Sequence, residues 1–229
     1  MGKPDPWPLT PDAYTMFRLA TAFREQDLMD TSFGHKPDGF LLWIDAVGGY
    51  RVCLGDEVIL GQPSRHQAVD VPILGDLSSR HARIRRDGEG YLIEAIREVG
   101  VAGRPVRPVA TLSDGSVIQL GRAVRLVFRC PHALSATARL DFASRHRTQP
   151  SADAVLLMAD ACVLGPGPHS HVVCPDWPAE VILYRHDDEL YCRTTGVLEV
   201  DGVKHKKRSR IHRNSRIAAD WFSINLEPL

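Results

Sequence analysis

The chain has 229 residues, and its 28 Lys plus Arg balance 28 Asp plus Glu. That balance excludes a global field drawing it to nucleic acid or an anionic membrane. The length allows one large domain or two small ones, and 44% hydrophobic content is ordinary for a globular protein.

Residues 1–9 lack the apolar core of a secretory leader, no stretch approaches ~18 apolar residues, and Pro6 breaks the myristoylation pattern. Five cysteines at irregular spacing (Cys53, Cys130, Cys162, Cys174 and Cys192) do not read as a disulfide framework. The expectation is a cytoplasmic protein with reduced, buried thiols and no membrane segment. Thr10-Pro11-Asp12 is a helix start, a hydroxyl cap followed by proline and an acid. Ala13, Met16, Phe17, Ala20, Phe23 and Leu28 continue as an apolar stripe, which predicts one amphipathic helix from Pro11 to about Met29. Such a helix needs a partner, and the adjacent domain is the expected one. Gly34 and Pro37 mark a linker up to residue 38.

Residues 40–45 and 50–54 flank Gly48-Gly49 and predict a hairpin. Short strands follow at 57–60, 71–74, 82–86, 91–95, 106–109, 116–120 and 124–128, separated by turns rich in glycine. Many short strands of this kind indicate an antiparallel sandwich or barrel. Between two of them, Ser78, Ser79, Arg80 and His81 bring hydroxyls, a forked cation and a ring that can bond the backbone from either nitrogen. The loop either holds an anion or bonds only to itself.

Several pieces recur in the order found in the forkhead-associated (FHA) family, and residues 40–128 resemble it. They are Val58-Ile59-Leu60-Gly61, then Ser78-Ser79-Arg80-His81-Ala82, then Val101-Ala102-Gly103, then the run from Leu112-Ser113-Asp114-Gly115 to Leu120-Gly121. The resemblance implies a β-sandwich that docks phosphothreonine peptides on loops at one end. Ser78 would contact phosphate, with Ser79, Arg80 and Arg65 beside it, while Gly61, His81 and Gly103 shape the loops. The chain departs from the family where Gln62 replaces its first arginine and Ala102 its turn asparagine. A phosphate carries about −1.5 to −2 charge and is best held by fork-shaped donors, so losing that arginine puts the ligand in question.

The pattern then starts again. At an offset of 99, Ile84-Arg85-Arg86 meets Leu183-Tyr184-Arg185 and Val101-Ala102-Gly103 meets Val200-Asp201-Gly202; at 104, Asp56 to Gly61 meets Asp160 to Gly165. The expected fold class is therefore all-β: two FHA-like antiparallel sandwiches in tandem, over 39–131 and 132–229, behind a helix and linker in 1–38. In the second copy Gly165 is followed by Pro166-Gly167-Pro168, and Trp177-Pro178-Ala179-Glu180 stands where the first has Ser78 to His81. A carboxylate there repels an anion.

Cys162, His169, His171 and Cys174 carry soft zinc-type donors, but the spacing follows no finger pattern, and no metal or cofactor is expected. Lys204, Lys206, Lys207, Arg208 and Arg210 form the most basic run, with no aromatic interleaved. It is expected as a solvated hairpin, with nucleic-acid contact through residues 204–216 as the alternative. No nucleophile elbow, phosphate loop or zinc-protease helix is present. The reading is a non-catalytic interaction protein whose partner is another protein, phosphorylated on threonine or acidic. The alternative is an assembly subunit whose ligand loops have decayed.

Overall fold

The computed structural model describes residues 38–88, 90–132 and 135–229. The helix predicted from Pro11 and the linker up to residue 37 lie outside them. The described residues are all-β, and none of them forms a helix long and apolar enough to cross a membrane.

Alternation of buried and open positions builds the first sheet. Val58 and Leu60 turn inward from β3 (Glu57–Gly61), Ala82 and Ile84 from β5 (Ala82–Asp87), and Tyr91 and Ile93 from β6 (Gly90–Ala95). With β4 (Val71–Pro72) and β9 (Val109–Leu112) at the edges, the order is β4-β3-β5-β6-β9. The strand predicted at 106–109 is displaced to β9, because Pro105 and Pro108 have no N–H to give a ladder. Across the same core lie β7 (Val99–Val101), β8 (Arg104–Pro105), β10 (Val117–Leu120) and β11 (Val124–Arg129).

The hairpin predicted around Gly48-Gly49 is β1 (Gly39–Ile44) and β2 (Gly48–Cys53), with its turn at 45–47. The glycine pair lies inside β2 because the Trp43 ring covers it. A Cβ on Gly49 would sit 2.1 Å from Trp43 Cζ3.

The later half supplies β12 (Ala138–Phe142), β13 (Ala154–Leu157), β14 (Ala161–Gly165), β15 (Val172–Val173) and β16 (Val181–His186), then β17 (Glu189–Val200), β18 (Val203–Ile211), β19 (Arg216–Ala219) and β20 (Phe222–Pro228). The two hairpins are exchanged between the halves. β1 pairs with β20, Trp43 opposite Asn225, while β12 pairs with β11, Phe142 opposite Leu126. β2 and β13 run parallel side by side, Tyr50 opposite Ala154 through Cys53 opposite Leu157. That pairing fuses the outer strands into one 15-stranded sheet.

The cores follow the exchange. Phe40, Leu42, Ile44 and Val52 are buried with Leu164, Leu183, Ile217 and Ile224. Ala138, Leu140, Val155 and Leu157 are buried with Leu60, Ile84, Ile118 and Phe128. The expected boundary between residues 131 and 132 therefore does not separate the two cores, since each is closed by a hairpin from the other side of it. The joint is tied by Arg51 on β2, which is buried and donates from Nε to the Asp70 carbonyl. Arg185 on β16 donates to the Leu54 carbonyl at 2.9 Å.

Hydrogen bonds recur at the offsets of the sequence repeat. Arg86 N–H donates to the Asp56 carbonyl at 2.8 Å, and Arg185 N–H to the Asp160 carbonyl at 2.8 Å. Ala102 N–H donates to the Val117 carbonyl at 2.9 Å, as Asp201 N–H does to Arg216. The Ser116 hydroxyl accepts from Ser113 N–H at 3.1 Å, and the Ser215 hydroxyl from His212 N–H at 2.9 Å. The donors Ile59 and Val163 also correspond at 104, but their acceptors do not: Asp70 Oδ2 accepts Ile59 N–H at 2.8 Å, whereas His171 Nδ1, 101 positions beyond Asp70, accepts Val163 N–H at 2.9 Å.

Candidate functional site

The loop between β4 and β5 is pressed onto the end of β3. A Cβ on Gly61 would lie 2.1 Å from the Ser79 carbonyl oxygen and 2.5 Å from that of Ser78. Glycine is thus required by close backbone approach. Gln62 N–H donates to the Ser78 carbonyl at 3.1 Å, and His81 N–H to the Leu60 carbonyl at 2.9 Å. The His81 ring is buried; its Nδ1 accepts Ser78 N–H at 3.3 Å, and its Nε2 lies 2.9 Å from the Glu98 carbonyl. With both nitrogens on backbone groups, His81 braces the loop and is not placed to take a proton from Ser78 or Ser79.

Ser78 is half-buried, and among the described residues its hydroxyl has no hydrogen-bond partner. The Ser79 hydroxyl donates to Gln67 Oε1. Arg80 and Arg65 are exposed, and neither is joined by a hydrogen bond or ion pair to Ser78 or to a carboxylate among the described residues. Gly103 (φ +77°) follows Ala102 (φ 49°) in the tight turn between β7 and β8, and among the described residues no hydrogen bond joins either of them to residues 78–81. Ala102 holds a left-handed conformation that suits glycine or asparagine better.

The β10–β11 turn closes the same end of the sandwich. A Cβ on Gly121 would meet the Asp76 carbonyl oxygen at 3.5 Å and His81 Cε1 at 3.6 Å. The loop between β12 and β13 arrives there with the exchanged hairpin. Leu74 N–H donates to the Arg147 carbonyl at 2.9 Å, and Gln149 N–H to that of Pro72 at 2.8 Å. The sequence reading did not single out Ser144, Arg145, His146 and Arg147. The available signal was a Ser-Arg-His-Arg run between apolar stretches, and its neighbours in space are far away in sequence.

In the later half, Glu180 lies over Gly165, where a Cβ would be 2.9 Å from Glu180 Cγ. Trp177, also from the divergent stretch, packs against Trp221 and Phe222 with ring centroids 5.5 and 5.3 Å apart. Cys162 and Cys174 are buried, and burial pushes their thiols up to about 12 and about 11. His169 is exposed, and among the described residues no group of three or more His, Cys, Asp or Glu is placed to hold a metal.

Burial, joined by the His132 and Arg139 charges, lowers His171 from 6.5 to about 4. On acidification the unfolded chain therefore takes this proton first. The contribution to stability is complete above about pH 6.5 and is lost as pH falls towards 4. The expected loss approaches roughly 3 kcal/mol. Urea unfolding at about pH 7.5 and about pH 4.5 checks it, and His171→Gln is expected to remove most of the difference.

The basic run forms β18, paired with β17 and largely exposed. No aromatic is interleaved in the run itself, but Tyr184 on β16 and Tyr191 on β17 stack at 5.3 Å. They share a groove of about 610 Å³ with His186, His205, Arg208 and Arg210. Arg210 is paired with Glu189 at 2.8 Å.

No family model and no curated protein matches the chain. Among solved structures, it is similar to an FHA domain studied for phosphothreonine-dependent interactions, at 30% identity over 36% of this chain and 88% of that one, with a TM-score of 0.26. An FHA domain from Chlamydia trachomatis is similar at 29% identity over 37% of this chain and 90% of that one, with a TM-score of 0.26. EmbR of Mycobacterium tuberculosis, in complex with a low-affinity phosphopeptide, is 23% identical over 52% of this chain and 32% of that one, with a TM-score of 0.29.

Proposed function

We propose that the chain is a non-catalytic protein-interaction module of two FHA-like sandwiches, the first of which reads a phosphothreonine or an acidic side chain on a partner protein. The observation that carries the reading is the Ser78 loop. His81 locks its backbone against the Glu98 carbonyl, and the Ser78 hydroxyl is left without a partner among the described residues. A braced hydroxyl in a loop that carries the exposed Arg80, which among the described residues has no ion-pair partner, suits an anion, because charge-assisted bonds are about twice as strong as neutral ones. Arg80 and Arg65 supply the charge that Gln62 does not. In this reading the second sandwich is structural, since Glu180 occupies its corresponding loop. Free cysteines suit a reducing, cytoplasmic setting.

Titration of the full chain with a phosphothreonine peptide and its unphosphorylated counterpart tests the reading. The phosphorylated form is expected to bind at least ~10-fold more tightly, and Ser78→Ala to remove most of that advantage. Equal affinities, or a Ser78→Ala chain that binds as well as the parent, would overturn it.

A second reading, single-strand nucleic-acid contact at β18, is favoured by the Tyr184–Tyr191 stack beside Arg208 and Arg210. It predicts affinity for an oligothymidylate that falls steeply with salt.

A further inference from the structure

The two exchanged hairpins differ at their tips. The first turns through residues 45–47, whereas the second carries residues 143–153 between its strands. The extra length holds Ser144, Arg145, His146 and Arg147, and it lies at the Ser78 end of the first sandwich. With Arg125 and Phe142 these residues line an open groove of about 640 Å³. The lining contains three arginines and a histidine but no carboxylate. Among the described residues none of the three guanidinium groups has an ion-pair partner. Asp141, the nearest acid in sequence, is engaged by Arg139 at 2.7 Å.

The loop is held in shape. The Ser144 hydroxyl accepts Arg125 N–H at 3.1 Å and donates to the Arg125 carbonyl at 3.3 Å. His146 Nδ1 lies 2.8 Å from the same hydroxyl, and a Cβ on Gly75 would sit 3.1 Å from His146 Cδ2. His146 thereby packs the hairpin tip against the stretch leading into Ser78. A groove lined by three arginines and, among the described residues, by no carboxylate favours an anionic occupant over a cationic one.

We propose that this groove is a second anion site, in which Arg125, Arg145 and Arg147 select carboxylate or phosphate side chains flanking the residue read at Ser78. The ligand class is an acidic peptide segment continuing from the Ser78 loop over the hairpin tip, and in that respect the inference rests on the function proposed above. Two of the groove's three arginines, Arg145 and Arg147, lie more than 60 positions beyond the Ser78 loop and are delivered by the exchanged hairpin, whereas Arg125 stands on β11.

Three peptides test it on the full chain: a phosphothreonine peptide followed by glutamates, the same peptide followed by alanines, and the unphosphorylated glutamate peptide. The glutamate flank is expected to tighten binding by ~10-fold over the alanine flank. R145A/R147A should abolish that preference while leaving the alanine-flanked peptide unaffected. Equal binding of the two flanks, or an equal loss for both in the double variant, overturns the inference and leaves the Ser78 reading intact. If the unphosphorylated glutamate peptide binds as well as the phosphorylated one and still needs the arginines, the groove stands and the phosphothreonine reading falls. Failure of all three to bind overturns both. An oligothymidylate that displaces the glutamate peptide at lower concentration, through the same arginines, overturns the peptide assignment in favour of nucleic acid.

Discussion

Phe40→Ala is expected to loosen residues 161–228 while leaving the amides of β3, β5 and β6 protected. Phe40 is wholly buried in the core that contains Leu164, Leu183, Ile217 and Ile224. Removing a buried phenyl group costs about 3–5 kcal/mol, in lost transfer free energy and in the cavity left behind. In an ordinary tandem arrangement that cost would fall on the sandwich formed by the strands following Phe40. Here it falls on the other core. Leu140→Ala is the mirror case, at about 2–5 kcal/mol. It should expose β3, β5 and β6, because Leu140 is buried beside Leu60, Ile84 and Phe128. Hydrogen exchange by mass spectrometry reads both variants. If each mutation loosened the half of the sequence in which it lies, the exchange would be refuted.

Gly61→Ala is expected to remove peptide binding altogether and to cost about 2–4 kcal/mol of stability. The added methyl would press on two carbonyl oxygens of the Ser78 loop, at 2.1 and 2.5 Å. These are backbone atoms held by Gln62 N–H and by His81, so no side-chain rotation relieves the clash. β3 or the loop must move, and either shift displaces the Ser78 hydroxyl. Thermal unfolding with phosphothreonine-peptide titration checks both effects. A Gly61→Ala chain that binds like the parent would show that the Ser78 loop is not the site.

Part of this fold was legible in the sequence. Alternation at Ala82 and Ile84, the Gly61 closure and the self-similarity of Asp56–Gly61 with Asp160–Gly165 anticipated β3, β5, β14 and β16. The turn at Gly48-Gly49 was misplaced because a glycine required by the Trp43 ring looks, in sequence, like one required by a turn. The exchange itself leaves almost no local trace. Each hairpin carries the same apolar pattern whichever core it closes, so periodicity cannot tell β11 from β20 as the partner of β1. One signal was present and was not read as a strand: Ala154-Val155-Leu156-Leu157-Met158-Ala159, buried throughout. An unbroken apolar run marks a strand covered on both faces. β13 is such a strand, with Leu156 in one core and Leu157 in the other.

The crossing is short in physical terms. Equivalent residues of β2 and β13 lie side by side, about 4.8 Å apart in a paired sheet, so the inner strands of the two hairpins meet at the joint and only β1 and β12 lie farther from the core that the exchange leaves behind. Pairing β2 with β13 also covers two edges that separate sandwiches would leave open to aggregation. Burial of Arg51 against the Asp70 carbonyl then fixes the joint. The candidate site inherits this topology. The Ser78 loop comes from one side of the chain and the arginine-rich tip from the other, and no window of sequence contains both.

Paired cysteines joined by a short bismaleimide, in a Cys130→Ser background, test that topology most directly. Trp43 and Asn225 face each other across β1 and β20. Val127 occupies, on β11, the position that Asn225 occupies on β20. Rapid intramolecular cross-linking of Trp43→Cys with Asn225→Cys, and none of Trp43→Cys with Val127→Cys, is the predicted result. The reverse pattern would contradict the exchange and would separate residues 143–147 from the Ser78 loop.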